Sequence, residues 1–328
     1  MKHSHKSNID ELVALGIIDE HDTYDYTNND PYEVVDNYFQ FCQTNLNDAG
    51  NEYGILPARI YIRRRMDVNA AATKSKEYYV MRVNFGTILT MFRLYTDHHE
   101  IFKKKDLSDF NKLNTQLNDT IDYLLFQIST QFTFYHEKAH LIQLSPVRDT
   151  WLEEIYENDN PEDEPFSLKR HIYEFDADLH ASTFIAFHLL EYWKKQDEKL
   201  RDEETLSLIA SIGLASVISY FIFLMKDYKK IYYKASTHPH PIIRISYIVD
   251  CLVKTLEGNI KQKITIDSKK IVKDAFRLTD ILFSFIGKKW VMDFSKLFFE
   301  ESKNIEDYVN SVLIEGSKSL PELTINRA

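Results

Sequence analysis

Phe132-Thr133-Phe134-Tyr135-His136-Glu137-Lys138-Ala139-His140-Leu141 is the stretch on which the reading of the whole chain turns. It contains H-E-x-x-H, written His136-Glu137-Lys138-Ala139-His140. On a helix, residues four apart share a face, so the two imidazoles can grip one zinc ion. Glu137, beside the first of them, can then reach a metal-bound water as general base. The surroundings support a helix. Leu117 to Leu144 holds no Gly or Pro, and Pro146 stops the run. Ile121, Leu124, Leu125, Ile128, Phe132 and Tyr135 recur at helical spacing, which predicts a helix over about 117–145. Lys138 departs from the motif's habit of uncharged residues between the histidines.

Composition narrows the rest. The chain has 328 residues, 44% of them apolar, enough for a substantial core. Only 8 Gly and 8 Pro stand against 20 Tyr and 21 Phe, which favours long helices and short connections. A net charge of -10 argues against a general nucleic-acid binder. Two cysteines, Cys42 and Cys251, make no disulfide framework. Met1 to Glu20 has no apolar signal-peptide core, so the expected compartment is the cytoplasm.

The expected fold is mainly α (α+β): a helical metallopeptidase domain with a small N-terminal antiparallel sheet or hairpin. Residues 1–31 read as a loosely held polar tail bearing His3 and His5, and 32–328 as a single zinc metallopeptidase domain. Pro31 opens a helix from about Tyr32 to Leu46. Ile60 to Arg65 and Tyr78 to Phe85 are β-branched or aromatic and read as the two strands of a hairpin. The arginines 63–65 then mark an exposed, charged edge strand. Later helices are expected over about 86–105, 167–199, 207–228, 242–256, 269–285 and 295–315. The acidic stretch Arg148 to Pro165 is either a solvated loop or a lure for a basic substrate. Thr205 to Met225 carries no charge and is long enough to cross a bilayer. A central buried helix is the favoured reading, with a membrane anchor as the alternative.

A zinc site of this type needs a third protein ligand and a position open to water. The metzincin continuation is absent, because Gln143 and Pro146 occupy the relevant places. Glu153 and Glu154 sit across Pro146, so the better candidate lies in His171-Ile172-Tyr173-Glu174-Phe175-Asp176-Ala177-Asp178. At about 100° per residue, His171, Glu174 and Asp178 share one narrow helix face. Glu174 is expected to ligate the metal, and Asp178 to take the N–H of a ligand histidine and fix its tautomer.

His136/Glu137/His140 followed by Glu174-x-x-x-Asp178 resembles the gluzincin metallopeptidases. Ser236-Thr237-His238-Pro239, with Arg244-Ile245 after it, resembles the S-T-H-P…R-I signature of the HtpX and CAAX-prenyl-protease type. That resemblance implies that His238 steadies the oxyanion of the tetrahedral intermediate, with His240 as the nearby alternative. It also implies that Arg244 holds this segment. Size and helical character are similar to the Lit-type phage-exclusion proteases, which act on a host translation factor.

The expected function is therefore a zinc-dependent endopeptidase acting on a protein or peptide substrate. One alternative is a metal-stabilised regulatory or binding protein without turnover. The other is a membrane-anchored, HtpX-like quality-control protease. A paired di-iron site would need a second E-x-x-H, and the chain has none.

Overall fold

The computed structural model describes residues 4–27, 31–145, 166–225, 230–234, 236–260 and 264–319. Among the described residues helix dominates, with one three-stranded sheet, so the mainly α class with a small sheet holds. The chain divides into two compact units: Met1–Thr90 with Thr133–Pro161, and Met91–Phe132 with Glu162–Ala328. One boundary falls between Phe132 and Thr133, inside a helix, so no linker composition marks it.

In the first unit the N-terminal stretch is not a loose tail. His5–Ala14 forms helix α1, started by a capping box in which Ser4 and Ser7 exchange side-chain and backbone bonds. Its buried face carries His5, Asn8 and Leu12. Helix α2 runs over Tyr32–Tyr53, a turn and more beyond the expected end, until Gly54 takes a left-handed conformation at φ 67°. Three strands follow, β1 (Ala58–Arg63), β2 (Ala70–Ser75) and β3 (Tyr78–Asn84), in the order β1-β3-β2.

The two expected strands do not form a hairpin with each other. β1 pairs with β3 in parallel, and the tight antiparallel hairpin joins β2 to β3 through Lys76-Glu77. β2 carries no strand signature of its own, since Ala70-Ala71-Ala72 lacks the β-branched and aromatic residues that signal strands. The outer edge of β1 is not exposed either. Ile62 N–H donates to His5 Nε2 at 2.9 Å, Asn8 Nδ2 donates to Ile60 C=O at 2.9 Å, and Gln43 Nε2 donates to Ala58 C=O at 3.2 Å. Side chains of α1 and α2 thus occupy the groups that an edge strand would otherwise offer to another chain. After β3, Gly86 passes so close to Met66 that a Cβ there would lie 2.0 Å from the Met66 carbonyl oxygen.

The His5 contact makes stability in this unit pH-dependent. Burial draws the His5 pKa from 6.5 to about 4, against the attraction of Asp25 and Asp36. Because the folded value is depressed, the contribution is complete above 6.5 and is lost as pH falls towards 4. By linkage it amounts to about 3 kcal/mol. His5→Gln keeps an acceptor for Ile62 N–H without titrating. Urea unfolding from pH 7 to pH 4 is expected to show a shallower loss in that variant than in the wild type. Parallel curves would remove His5 from the acid sensitivity.

In the second unit the middle is helix α7, Glu203–Leu224, started by Asp202, whose carboxylate accepts Thr205 N–H at 2.7 Å. Its residues Thr205 to Ile222 are all buried, which explains its apolarity on every face. Around it pack α6 (Leu168–Lys194), α8 (Pro241–Asn259) and α9 (Ser268–Phe285). Small residues allow the close approach: a Cβ on Gly213 would lie 2.6 Å from Leu189 Cδ1. Ser216 Oγ donates to the Leu125 carbonyl at 2.6 Å. The single helix expected over 295–315 is two, Val291–Glu300 and Ser302–Ser319. In chain order, α3 is Phe85–Thr96, α4 Ser108–Asn114, α5 Ile121–Gln143, and these last two are α10 and α11.

Candidate metal centre

Helix α5 carries the motif as expected. His136 and His140 stand one turn apart with their rings nearly perpendicular and their Nε2 atoms 3.0 Å from each other. Two imidazoles on a four-coordinate zinc, with bonds near 2.05 Å, hold their nitrogens about 3.3 Å apart, so the helix sets the pair close to ligating geometry. His140 Nδ1 lies 2.8 Å from Gln143 Oε1. A carbonyl oxygen only accepts, so Nδ1 carries the proton and Nε2 presents its lone pair. The support expected from Asp178 thus falls, for His140, to Gln143, one turn along the same helix. Glu137 is buried beside the pair.

Lys138 is also buried, with its ammonium 4.7 Å from the centre of the Tyr135 ring. Burial pulls its pKa down to about 8, while Glu52 acts in the opposite direction. The unusual charge within the motif is therefore housed against an aromatic face rather than in water.

On α6, His171, Glu174 and Asp178 are all buried, as their shared face requires. Asp178 is engaged by Arg244, whose Nε and Nη2 each lie 2.7 Å from one carboxylate oxygen, and by the Tyr247 hydroxyl. Arg244 Nη1 is 3.2 Å from Glu174 Oε2, so one guanidinium spans both carboxylates. Burial opposes the Arg244 charge, but Asp178 and then Glu174 outweigh it and raise the pKa well above its ordinary value. Burial, with Asp178 adding to it, pushes the Tyr247 phenol up, so Tyr247 is the donor. His238 Nε2 lies 3.3 Å from Glu174 Oε1, while its Nδ1 is 3.0 Å from Thr237 Oγ1. The S-T-H-P…R-I segment is therefore brought to Glu174 at both of its chemical residues.

His240, the expected alternative to His238, is buried. Its Nδ1 accepts Ile242 N–H at 3.1 Å, making it the N-cap of α8, and Pro241 occupies the first helical position. A fixed φ without an N–H suits that position. The acidic stretch 148–165, with Glu153 and Glu154, lies outside the described residues, as does His3.

His136, His140 and Glu174 form a group that could hold a metal ion, each offering one ligand atom, with these atoms within 4.8 Å of one another. Two imidazole nitrogens and a carboxylate oxygen suit zinc and neighbouring divalent ions. Three contributors were missed in the sequence. Gln143 was legible in principle, three residues along the helix from His140, whereas Tyr247 was not, since its partner Asp178 lies 69 positions away. Tyr308, which reaches His171, was not legible either, since nothing local links positions 137 residues apart. Compared with protein-family models, curated proteins and solved structures, the chain matches none.

Proposed function

We propose that the protein is a zinc-dependent endopeptidase. The observation that carries this reading is the His136/His140/Glu174 donor group, with Glu137 next to the first ligand. Zinc, when bound, supplies a Lewis acid that polarises the scissile carbonyl and makes a water acidic near neutral pH. Glu137 takes the proton from that water and hands it to the leaving amine. His238 donates a hydrogen bond to the oxygen on which charge develops. Arg244 and Asp178 orient Glu174 from behind. The substrate is a protein or peptide. The burial of α7 supports a chain that stays out of the bilayer, and recovery without detergent is expected; a cytoplasmic location is part of the proposal.

The test is mass spectrometry of cleavage products after the zinc-loaded protein meets a mixed peptide library. New termini are expected with the wild type and not with Glu137→Gln. Loss of a general base should slow turnover by about 100-fold or more. Equal product formation by both proteins would overturn the assignment. Stoichiometric zinc with no cleavage of any peptide would favour a metal-stabilised binding protein.

A further inference from the structure

We infer that Tyr308 and His171 position His238: Tyr308 on α11 fixes the His171 ring, and His171 fixes the Ser236 carbonyl two residues before His238. The inference deepens the proposed peptidase reading and rests on it for its catalytic consequence.

His171 Nε2 lies 2.9 Å from Ser236 O, and His171 Nδ1 lies 2.8 Å from Tyr308 Oη. The carbonyl can only accept, so Nε2 must hold the proton. Nδ1 of a neutral ring is then bare, and Tyr308 must donate to it. The chain of donors runs one way, from the phenol through the imidazole to the carbonyl. Burial supports both assignments, since it lowers the His171 pKa and raises that of Tyr308. The His171 side chain is fully buried, and the Phe166 ring meets it edge-on at 5.1 Å.

Ser236 to Pro239 belongs to no helix or strand, so backbone ladders do not hold it. It is held from its two ends. His240 caps α8 on one side, and His171 grips Ser236 on the other. Within that bracket the Ser236 hydroxyl accepts His238 N–H at 3.4 Å. His171 also stands one helical turn before Glu174, whose carboxylate lies 3.3 Å from His238 Nε2. The same turn of α6 thus presents the carboxylate and anchors the loop that faces it. A donor aimed at a developing oxyanion loses effect with a displacement of about 1 Å, which is the scale of freedom an unanchored loop has. α11, the last helix described in the chain, enters the chemistry by this route although it supplies no reacting group.

The test uses the full chain with three variants: Tyr308→Phe, His171→Leu and His171→Gln. Gln offers an amide N–H near the position of His Nε2, so it serves as the conservative replacement. The first measurement is amide hydrogen exchange over residues 236–240, which needs neither metal nor turnover. Tyr308→Phe is expected to speed exchange there by about 10-fold or more, with the middle of α8 unchanged. The second measurement, on zinc-loaded protein, is kinetic. Tyr308→Phe and His171→Leu are expected to lower kcat by about 10-fold with KM nearly unchanged, and His171→Gln to recover most of the loss. In a His238→Ala background, Tyr308→Phe is expected to add no further loss, because both act through one group.

Unchanged exchange at 236–240 in Tyr308→Phe would overturn the positioning role whatever the enzyme does. So would a kcat loss of the same size in the His238→Ala background. If the wild type shows no turnover at all, the peptidase reading fails, and the exchange measurement alone still decides whether the loop is held as inferred. Tyr308→Phe removes a single hydroxyl, so it remains informative if His171→Leu fails to fold.

Discussion

His136→Ala and His140→Ala are each expected to abolish stoichiometric zinc binding, while Glu137→Gln keeps it. The two imidazoles converge at 3.0 Å on one position, so neither has a substitute on its own helix. Removing either leaves one nitrogen and one carboxylate, a pair that holds zinc poorly. Glu174→Ala should fail in the same way if Glu174 is the third ligand. Gln143→Ala is a graded control. It leaves all three donors but releases the His140 tautomer, and losing a supporting partner of that kind weakens affinity about 10–100-fold. The measurement is zinc titration against a competing chelator. Full occupancy in His136→Ala would refute the ligand assignment. Loss of zinc in Glu137→Gln would make that residue a ligand rather than a base.

Arg244→Met is expected to destabilise the protein by about 3–5 kcal/mol, the usual cost of stripping one partner from a buried ion pair. Arg244 is 6% exposed, Glu174 7% and Asp178 0%, so the two carboxylates would be left without their cation and without water. The loss includes the contact of the guanidinium with the Phe221 ring, 4.7 Å from its centre. Arg244→Lys should recover little. An ammonium is a point charge and cannot make the two-pronged contact with Asp178 while also reaching Glu174. Adding Asp178→Asn to Arg244→Met should cost less than the sum of the two, because one of the two stranded charges is then removed. Urea unfolding of metal-free protein measures all four. A loss below about 1 kcal/mol for Arg244→Met would mean that water reaches the cluster and screens it.

Helices were legible in the sequence because their signal is local. The 3.6-residue period over Ile121 to Tyr135, Ser167 and Pro241 as helix starts, and the charge-free run after Thr205 can each be read within a few turns. The shared face of His171, Glu174 and Asp178 was legible for the same reason. What those residues touch was not. Asp178 meets Arg244 and Tyr247 across more than sixty positions, and His171 meets Tyr308 across 137. The sheet order followed the same division. β1 and β3 announced themselves by composition, whereas the alanines of β2 became a strand only by pairing with β3. His5, polar and near the N-terminus, reads as a residue of a solvated tail. It is buried because the edge of β1 has an N–H at Ile62 that needs an acceptor. Periodicity and capping are properties of a few consecutive residues and survive in the sequence alone. The partner of a buried charge or an edge amide is settled only when distant segments pack and leave those groups no water.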